Sequence, residues 1–194
     1  MTANSLVVLV LVLAFLPASS PSEWFASGPP GRAGAVQGAT DRVPQHPPIA
    51  ARVTRVDRIR GPVEFSNPAL RMSGTIEPRA GNLLQLIEMA LGDTDVEAEA
   101  AAFQLVTADD IRYDPIAVGG GARLLFPLDR LPIGREMTQI LPVQGIIAVT
   151  KNSASSVTVE ATSMATLAFL YEVPHGATVK TLQLPDGSAL ALGK

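Results

Sequence analysis

The chain contains no cysteine, and that one absence removes several chemistries together. It leaves no disulfide, no thiolate metal site, no cysteine nucleophile and no cysteine-linked lipid anchor. Histidine is almost as scarce. His46 and His175 are the only two, and neither has a metal-ligating partner at the i+2, i+3 or i+4 spacing that zinc sites use. A Gly-x-Ser-x-Gly nucleophile elbow is missing, so a serine hydrolase would have to build its triad on His175 alone. Aromatic residues make up only 5% of the chain and charged residues 17%, and the formal net charge is −3. That charge gives no electrostatic reason to expect nucleic acid. Gly119-Gly120-Gly121 lacks the Lys and Ser/Thr of a phosphate-binding loop. The expectation is a non-enzymatic chain with no cofactor, a hydrolase being the least favoured alternative.

What is present begins with an apolar block, Leu6 to Leu16. As a helix it covers roughly 17 Å at about 1.5 Å per residue, short of the roughly 30 Å of hydrocarbon that a span must cross. Pro17 ends it, and the small residues Ala18, Ser19 and Ser20 follow. Residues 1–22 therefore read as an export signal, although no Lys or Arg precedes the block and Pro21 would follow a cut after Ser20. The alternative is an uncleaved anchor, with Leu6, Val8, Val10, Val12 and Phe15 in the membrane and Trp24 at its interface. Either reading places the remainder outside the cytoplasm: periplasmic, at the cell surface, secreted, or held at the membrane.

Residues 23–48 form a Pro/Gly-rich linker with too few large apolar groups to offset the entropy of ordering it. From residue 49 to 194 the texture is that of short strands between turn signals. Val53, Thr54, Val56 and Ile59 are β-branched and suggest a first strand, with helix the alternative because their spacing is closer to three than two, and Arg71–Ile76 suggests a second. Leu83–Leu91 and Ala165–Val173 are dense apolar runs bounded by turn residues, as central strands are; for Leu83–Leu91 a short buried helix is the alternative, since Leu, Met, Ala and Glu favour helix. Val96–Ala102 begins in alternation and continues in alanine, so strand and helical turn both remain open. Phe103–Val106 and Ile111–Tyr113 flank the acidic turn Thr107–Asp110. Gln144–Thr150 and Val157–Ala161 form a hairpin, and Val179–Leu184 a last strand closed by Pro185-Asp186-Gly187. Gly119–Gly121 reads as a flexible loop, and residues 122–141 have no clear period. The sum is an antiparallel β-sandwich.

Two stretches then carry a resemblance. Phe103-Gln104-Leu105-Val106-Thr107-Ala108-Asp109-Asp110-Ile111-Arg112-Tyr113-Asp114-Pro115 resembles a motif of the telokin-like, immunoglobulin-fold domains of unknown function in exported bacterial proteins. Phe169-Leu170-Tyr171-Glu172-Val173-Pro174-His175-Gly176, followed by Val179–Leu182, is similar to the strand, Val-Pro step and final strand that end those domains. The resemblance covers roughly residues 50–190. It implies an export leader, a tether and one immunoglobulin-like sandwich, with no catalytic residues to transfer. Asp110 stands where that family usually has Gly, and the segment 115–160 is longer than expected.

Three constellations are candidates for function. Asp93, Asp95, Glu97 and Glu99 alternate onto one side of their segment and are weak calcium candidates, solvated carboxylates at a sheet edge being the plainer reading. Arg52, Arg55, Arg58 and Arg60 make a local basic cluster, suited to a solvated strand face or to anionic lipid. Segment 115–160 is apolar beyond the needs of one hairpin, and Leu124, Leu125, Phe126, Leu131 and Ile133 are the expected protein-partner contacts, unless they complete the core. The function these readings support is protein binding or assembly at the cell envelope. The alternative is an accessory subunit of a membrane complex, held by its leader.

Overall fold

The computed structural model describes residues 47–68, 71–141 and 145–193. They are mainly β, in several antiparallel sheets, and hold no α-helix. The strands in chain order are β1 (Ala51–Ile59), β2 (Val63–Asn67), β3 (Met72–Ile76), β4 (Asn82–Leu91), β5 (Val96–Glu99), β6 (Gln104–Thr107), β7 (Arg112–Tyr113), β8 (Ala117–Gly119), β9 (Leu125–Pro127), β10 (Glu136–Leu141), β11 (Gly145–Lys151), β12 (Val157–Ala161), β13 (Thr166–Pro174), β14 (Val179–Gln183) and β15 (Ala189–Ala191). They form a central sheet, β1-β4-β13-β8-β9; a second sheet, β10-β11-β12-β5; a third, β15-β14-β6-β7; and the hairpin β2-β3.

The two densest apolar runs lie next to each other inside the central sheet, where β4 and β13 pair from Asn82↔Pro174 to Ala90↔Thr166. Strand side chains alternate between faces, and here both faces are covered. Leu83, Ile87, Met89, Leu167, Phe169 and Tyr171 enter the main core, which the second and third sheets close from their side with residues such as Val149, Val159, Leu105 and Leu182. Leu84, Leu86, Ala168 and Leu170 point the other way, into a smaller core roofed by Val63 and Phe65 of β2. A strand buried on both sides leaves little room for polar side chains, which is why these runs show no alternation; the buried Gln85 is satisfied by donating from Nε2 to the Asp57 carbonyl at 2.9 Å. The Phe103 and Phe169 rings stack at 4.6 Å, and the buried Tyr171 hydroxyl donates to the Phe103 carbonyl at 3.0 Å.

Several local features differ from the sequence reading. Ala100–Ala102 is a 3-10 turn that follows β5 rather than continuing it. Gly119 ends a strand instead of opening a flexible loop; a Cβ there would lie 1.8 Å from the Leu124 carbonyl oxygen, so the β8–β9 pairing requires glycine. Strands β2, β8, β9, β10 and β15 have no counterpart in the sequence reading. The turn at Pro185-Asp186-Gly187 does not close the fold. It leads into β15, and Asp186 Oδ2 accepts the Ile49 backbone N–H at 2.7 Å, clamping the start of the domain to its end. Asp110 takes φ 58, a left-handed conformation that Asp tolerates better than most residues.

Candidate functional site

The second sheet buries one face and exposes the other, and the strand patterns state which residues go where. Exposed and buried residues alternate along β10 from the exposed Glu136 to the buried Leu141, and along β5 from the buried Val96 to the exposed Glu99. Met137, Ile147, Val149, Val159 and Ala98 turn inward. Glu136, Thr138 and Ile140 of β10, Ile146 and Thr150 of β11, Thr158 and Glu160 of β12, and Glu97 and Glu99 of β5 turn outward, by the alternation of each strand. Lys151 is the one Lys or Arg within these four strands. It is spent inward: it is 8% exposed, and its Nζ donates to the Leu128 carbonyl at 2.9 Å and the Asp129 carbonyl at 3.4 Å. Arg135 stands one residue ahead of β10.

Register brings like charges together. Glu160 pairs directly with Glu97 across β12 and β5, an arrangement that destabilises a strand pair. Glu99 is partly occupied, since its Oε1 accepts the Ser156 hydroxyl at 2.7 Å. Glu136 Oε1 accepts from the Thr138 hydroxyl at 2.8 Å. At the other end of the face Ile140 and Ile146 are register partners, 79% and 42% exposed. Between the two ends lies a groove of about 560 Å³. Its walls include Glu97, Glu136 and Glu160, its floor Ala148, and its rim Pro47, the first described residue. The arrangement suits a ligand with positive charge and some apolar surface.

Of the calcium candidates, Asp93, Asp95, Glu97 and Glu99 are all exposed on the alternation expected. They do not converge: among the described residues no group of three or more acidic or histidine side chains is placed to hold a metal ion. Asp95 Oδ1 instead accepts the Ser163 backbone N–H at 2.6 Å. Of the partner contacts, Leu125 and Phe126 are fully buried and Leu131 is 5% exposed. All three complete cores: Leu125 joins the smaller one and Phe126 and Leu131 the main one, the first two placed there by the pairing of β9 with β8 at the end of the central sheet. Leu124 is half-buried, and Ile133 alone is presented to solvent. The membrane candidates Leu6, Val8, Val10, Val12, Phe15 and Trp24 lie outside the described residues, as does His46.

The basic cluster is taken apart by the pleat. Arg52 and Arg55 share a face with Ala90 and Glu88, whereas Arg58 is in register with Gln85 on the opposite one. Arg55 is neutralised by Asp57 at 2.5 Å and by Glu88 at 3.7 Å. Arg58 donates to the His175 carbonyl. His175 itself is exposed in the turn after β13.

One carboxylate is strongly perturbed. Glu172 accepts from Arg79 Nε at 2.9 Å, from the Arg79 backbone N–H at 2.7 Å and from Asn82 Nδ2 at 3.0 Å. The hydrogen bond from the Arg79 side chain, with help from Asn82, lowers its pKa to about 2 against the opposing effect of burial. It fastens the β3–β4 connection to β13 and lies away from the groove.

Sequence reading missed Glu136 and Glu160 as companions of Glu97 and Glu99. The signal was the outward phase of Glu136, Thr138 and Ile140, hidden because the preceding Leu131-Pro132-Ile133-Gly134 has no period. Against family models, curated proteins and solved structures, the chain matches none.

Proposed function

We propose that this chain is an exported, non-enzymatic β-sandwich module that acts by protein binding or assembly at the cell envelope, and that the outward face of the β10-β11-β12-β5 sheet is its contact surface. One observation carries the reading. That face holds Glu97, Glu99, Glu136 and Glu160 with no outward cation in its strands, and it sets Glu160 against Glu97 in register. A fold gains nothing from such a pairing, whereas a cationic partner converts it into complementarity. The exposed Ile140–Ile146 pair adds apolar area beside the charge, the mixture that interfaces use.

The leader and linker belong to the same proposal. They deliver the module outside the cytoplasm on a tether long enough to reach a neighbour. The immunoglobulin-like, telokin-like kinship belongs to it as well. Its support is the main core, enclosed between the central sheet and the two sheets opposite, together with the order of the strands that carry the two resembling stretches.

The test uses the full chain with its own leader, carrying a photo-reactive side chain in place of Ile146 or, as control, in place of the exposed Arg112 on β7. Crosslinking to one stoichiometric envelope protein from position 146 and not from 112 is the expected result. Equal yields from both positions would remove the face from consideration. The N-terminus of the recovered chain separates a released module from an anchored subunit: a start near Glu23 marks the first, an intact Met1 the second.

A further inference from the structure

The same sheet offers a second, independent feature at its edge. β10 ladders with β11 on one side only among the described strands. The hydrogen-bond phase follows from the neighbouring ladder. The Thr162 N–H donates to the Ile146 carbonyl, and the Ile146 N–H donates to the Thr162 hydroxyl, so Ile146 and, by alternation, Ala148 and Thr150 bond towards β12. Ile147 and Val149 then bond towards β10, where their register partners are Gln139 and Met137. The N–H and C=O groups of Glu136, Thr138 and Ile140 are therefore directed at the open edge. No backbone group among the described residues bonds to them, and all three residues are exposed.

Edges of this kind are usually blunted by shortness, proline, lysine or a bulge. β5, the opposite edge, is four residues long and runs into the 3-10 turn. β10 is six residues long, keeps an unbroken register with β11, and contains no proline, lysine or glycine. We infer that β10 is a strand-acceptor edge, and that its occupant is an extended segment of a partner protein with Lys or Arg at alternate positions. This rests on the carboxylate face being the binding surface and says what binds there and how.

Charge selects the occupant. Side chains of an added strand keep the alternation of β10. Those level with Glu136, Thr138 and Ile140 would extend the acidic face, and those level with Met137, Gln139 and Leu141 would turn towards the core side. Lys or Arg at the first set answers Glu136 directly; Glu160 on β12 lies three strand spacings from an added strand, roughly 14 Å, beyond the screening length of about 8–10 Å at ordinary salt, so it adds attraction mainly at low ionic strength. Apolar residues suit the second set. A second copy of this chain adding its own β10 would instead join two acidic faces into one continuous sheet, concentrating like charge.

The probe is a synthetic peptide of about ten residues alternating Lys and Val, titrated against the full chain. Its control is the same peptide N-methylated at alternate amides, which keeps the charge and removes the donors along one edge. Amide hydrogen exchange at Thr138 and Ile140 reads the edge; Glu97→Gln/Glu160→Gln reads the face; Thr138→Pro removes an outward N–H without changing the charge. The inference expects slowed exchange at Thr138 and Ile140 on binding. It also expects a roughly tenfold loss of affinity on N-methylation or in Thr138→Pro, and a smaller, salt-dependent loss in the Gln double variant. Binding that depends on Glu97 and Glu160 but ignores N-methylation overturns the strand-acceptor edge and leaves the face reading intact. Binding that ignores both changes, or no binding at all, overturns both. Slow exchange at Thr138 and Ile140 without peptide, in a species of twice the mass, overturns the choice of occupant in favour of a second copy.

Discussion

The central sheet and the β10-β11-β12-β5 sheet are built from the same apolar alphabet, yet they treat it in opposite ways. In β4 and β13 both faces are covered, so Leu83–Ile87 and Leu167–Tyr171 are buried without a break. In β10 and β12 one face is covered, so burial alternates residue by residue. Sheet-on-sheet packing stabilises the first through apolar area removed from water. The second keeps only half of that area and exposes a face on which Glu160 opposes Glu97. The contrast separates two jobs: the strands that hold the molecule together have no surface to offer, and the strands with a surface contribute less to holding it.

Mutation should reproduce the contrast, most strongly in the core. Phe169→Ala removes a fully buried ring that stacks on Phe103 and should cost about 3–5 kcal/mol in urea or thermal unfolding. Ile140→Ala, 79% exposed on the other sheet, should change stability by no more than about 0.5 kcal/mol. Equal losses would mean that the outward face is covered in solution, and the distinction between the two sheets would fail.

A smaller effect tests how the main core satisfies its polar group. Tyr171→Phe leaves the packing but deletes the 3.0 Å bond to the Phe103 carbonyl. With that buried acceptor deprived of a donor, about 1–2 kcal/mol should be lost. Burial raises the Tyr171 pKa well above its usual value, so ionisation should not compete with this bond near neutral pH, and the loss should be constant there.

The rim of the central sheet gives a pH signature. Glu172 titrates near 2 in the fold and near 4.5 when unfolded. Its contribution is present in full above pH 4.5 and disappears as pH falls from 4.5 towards 2. Because Arg79 is largely exposed, solvent screening holds the contribution to about 1 kcal/mol. Glu172→Gln should cost that much at neutral pH and nothing at the acid end, so the two unfolding curves should converge on acidification. Parallel curves would show that the contact with Arg79 and Asn82 is not electrostatic in origin.

How much of this was legible follows from the same contrast. Leu83–Leu91 and Ala165–Val173 were legible as central strands from their continuous apolar runs between turn residues, although the Leu, Met, Ala and Glu content of the first suits a short helix equally and only its pairing with β1 and β13 decides it. The hairpin at Val157–Ala161 was legible through its period of two. β2 was not, because Gly61-Pro62 and Asn67-Pro68 bracket only four residues and the stretch reads as loop, yet its alternate residues Val63 and Phe65 roof the smaller core. Leu125 and Phe126 looked like surplus apolar surface because their partner strand, β8, contains only Ala117, Val118 and Gly119 and does not advertise itself. The candidate face was half legible. Glu97 and Glu99 are local in sequence, whereas Glu160 and Glu136 join them only through strand order, which no local pattern encodes.

The smallest effect is the most direct probe of the carboxylate face. Glu160→Lys places a cation opposite Glu97 in the existing register, turning a repulsive cross-strand pair into an attractive one. The change is solvent-exposed and removes no hydrogen bond to its side chain among those formed by the described residues, so the gain should be modest, about 0.5–1 kcal/mol at low ionic strength. Salt should erase the difference gradually: it screens the repulsion in the parent and the attraction in the variant, so their unfolding midpoints should approach each other as salt is added. A variant that is more stable and yet loses the cationic peptide would mean that this face gives up stability for binding. A variant that is no more stable, with a midpoint gap indifferent to salt, would show that Glu97 and Glu160 are fully hydrated and that their opposition carries no stored repulsion.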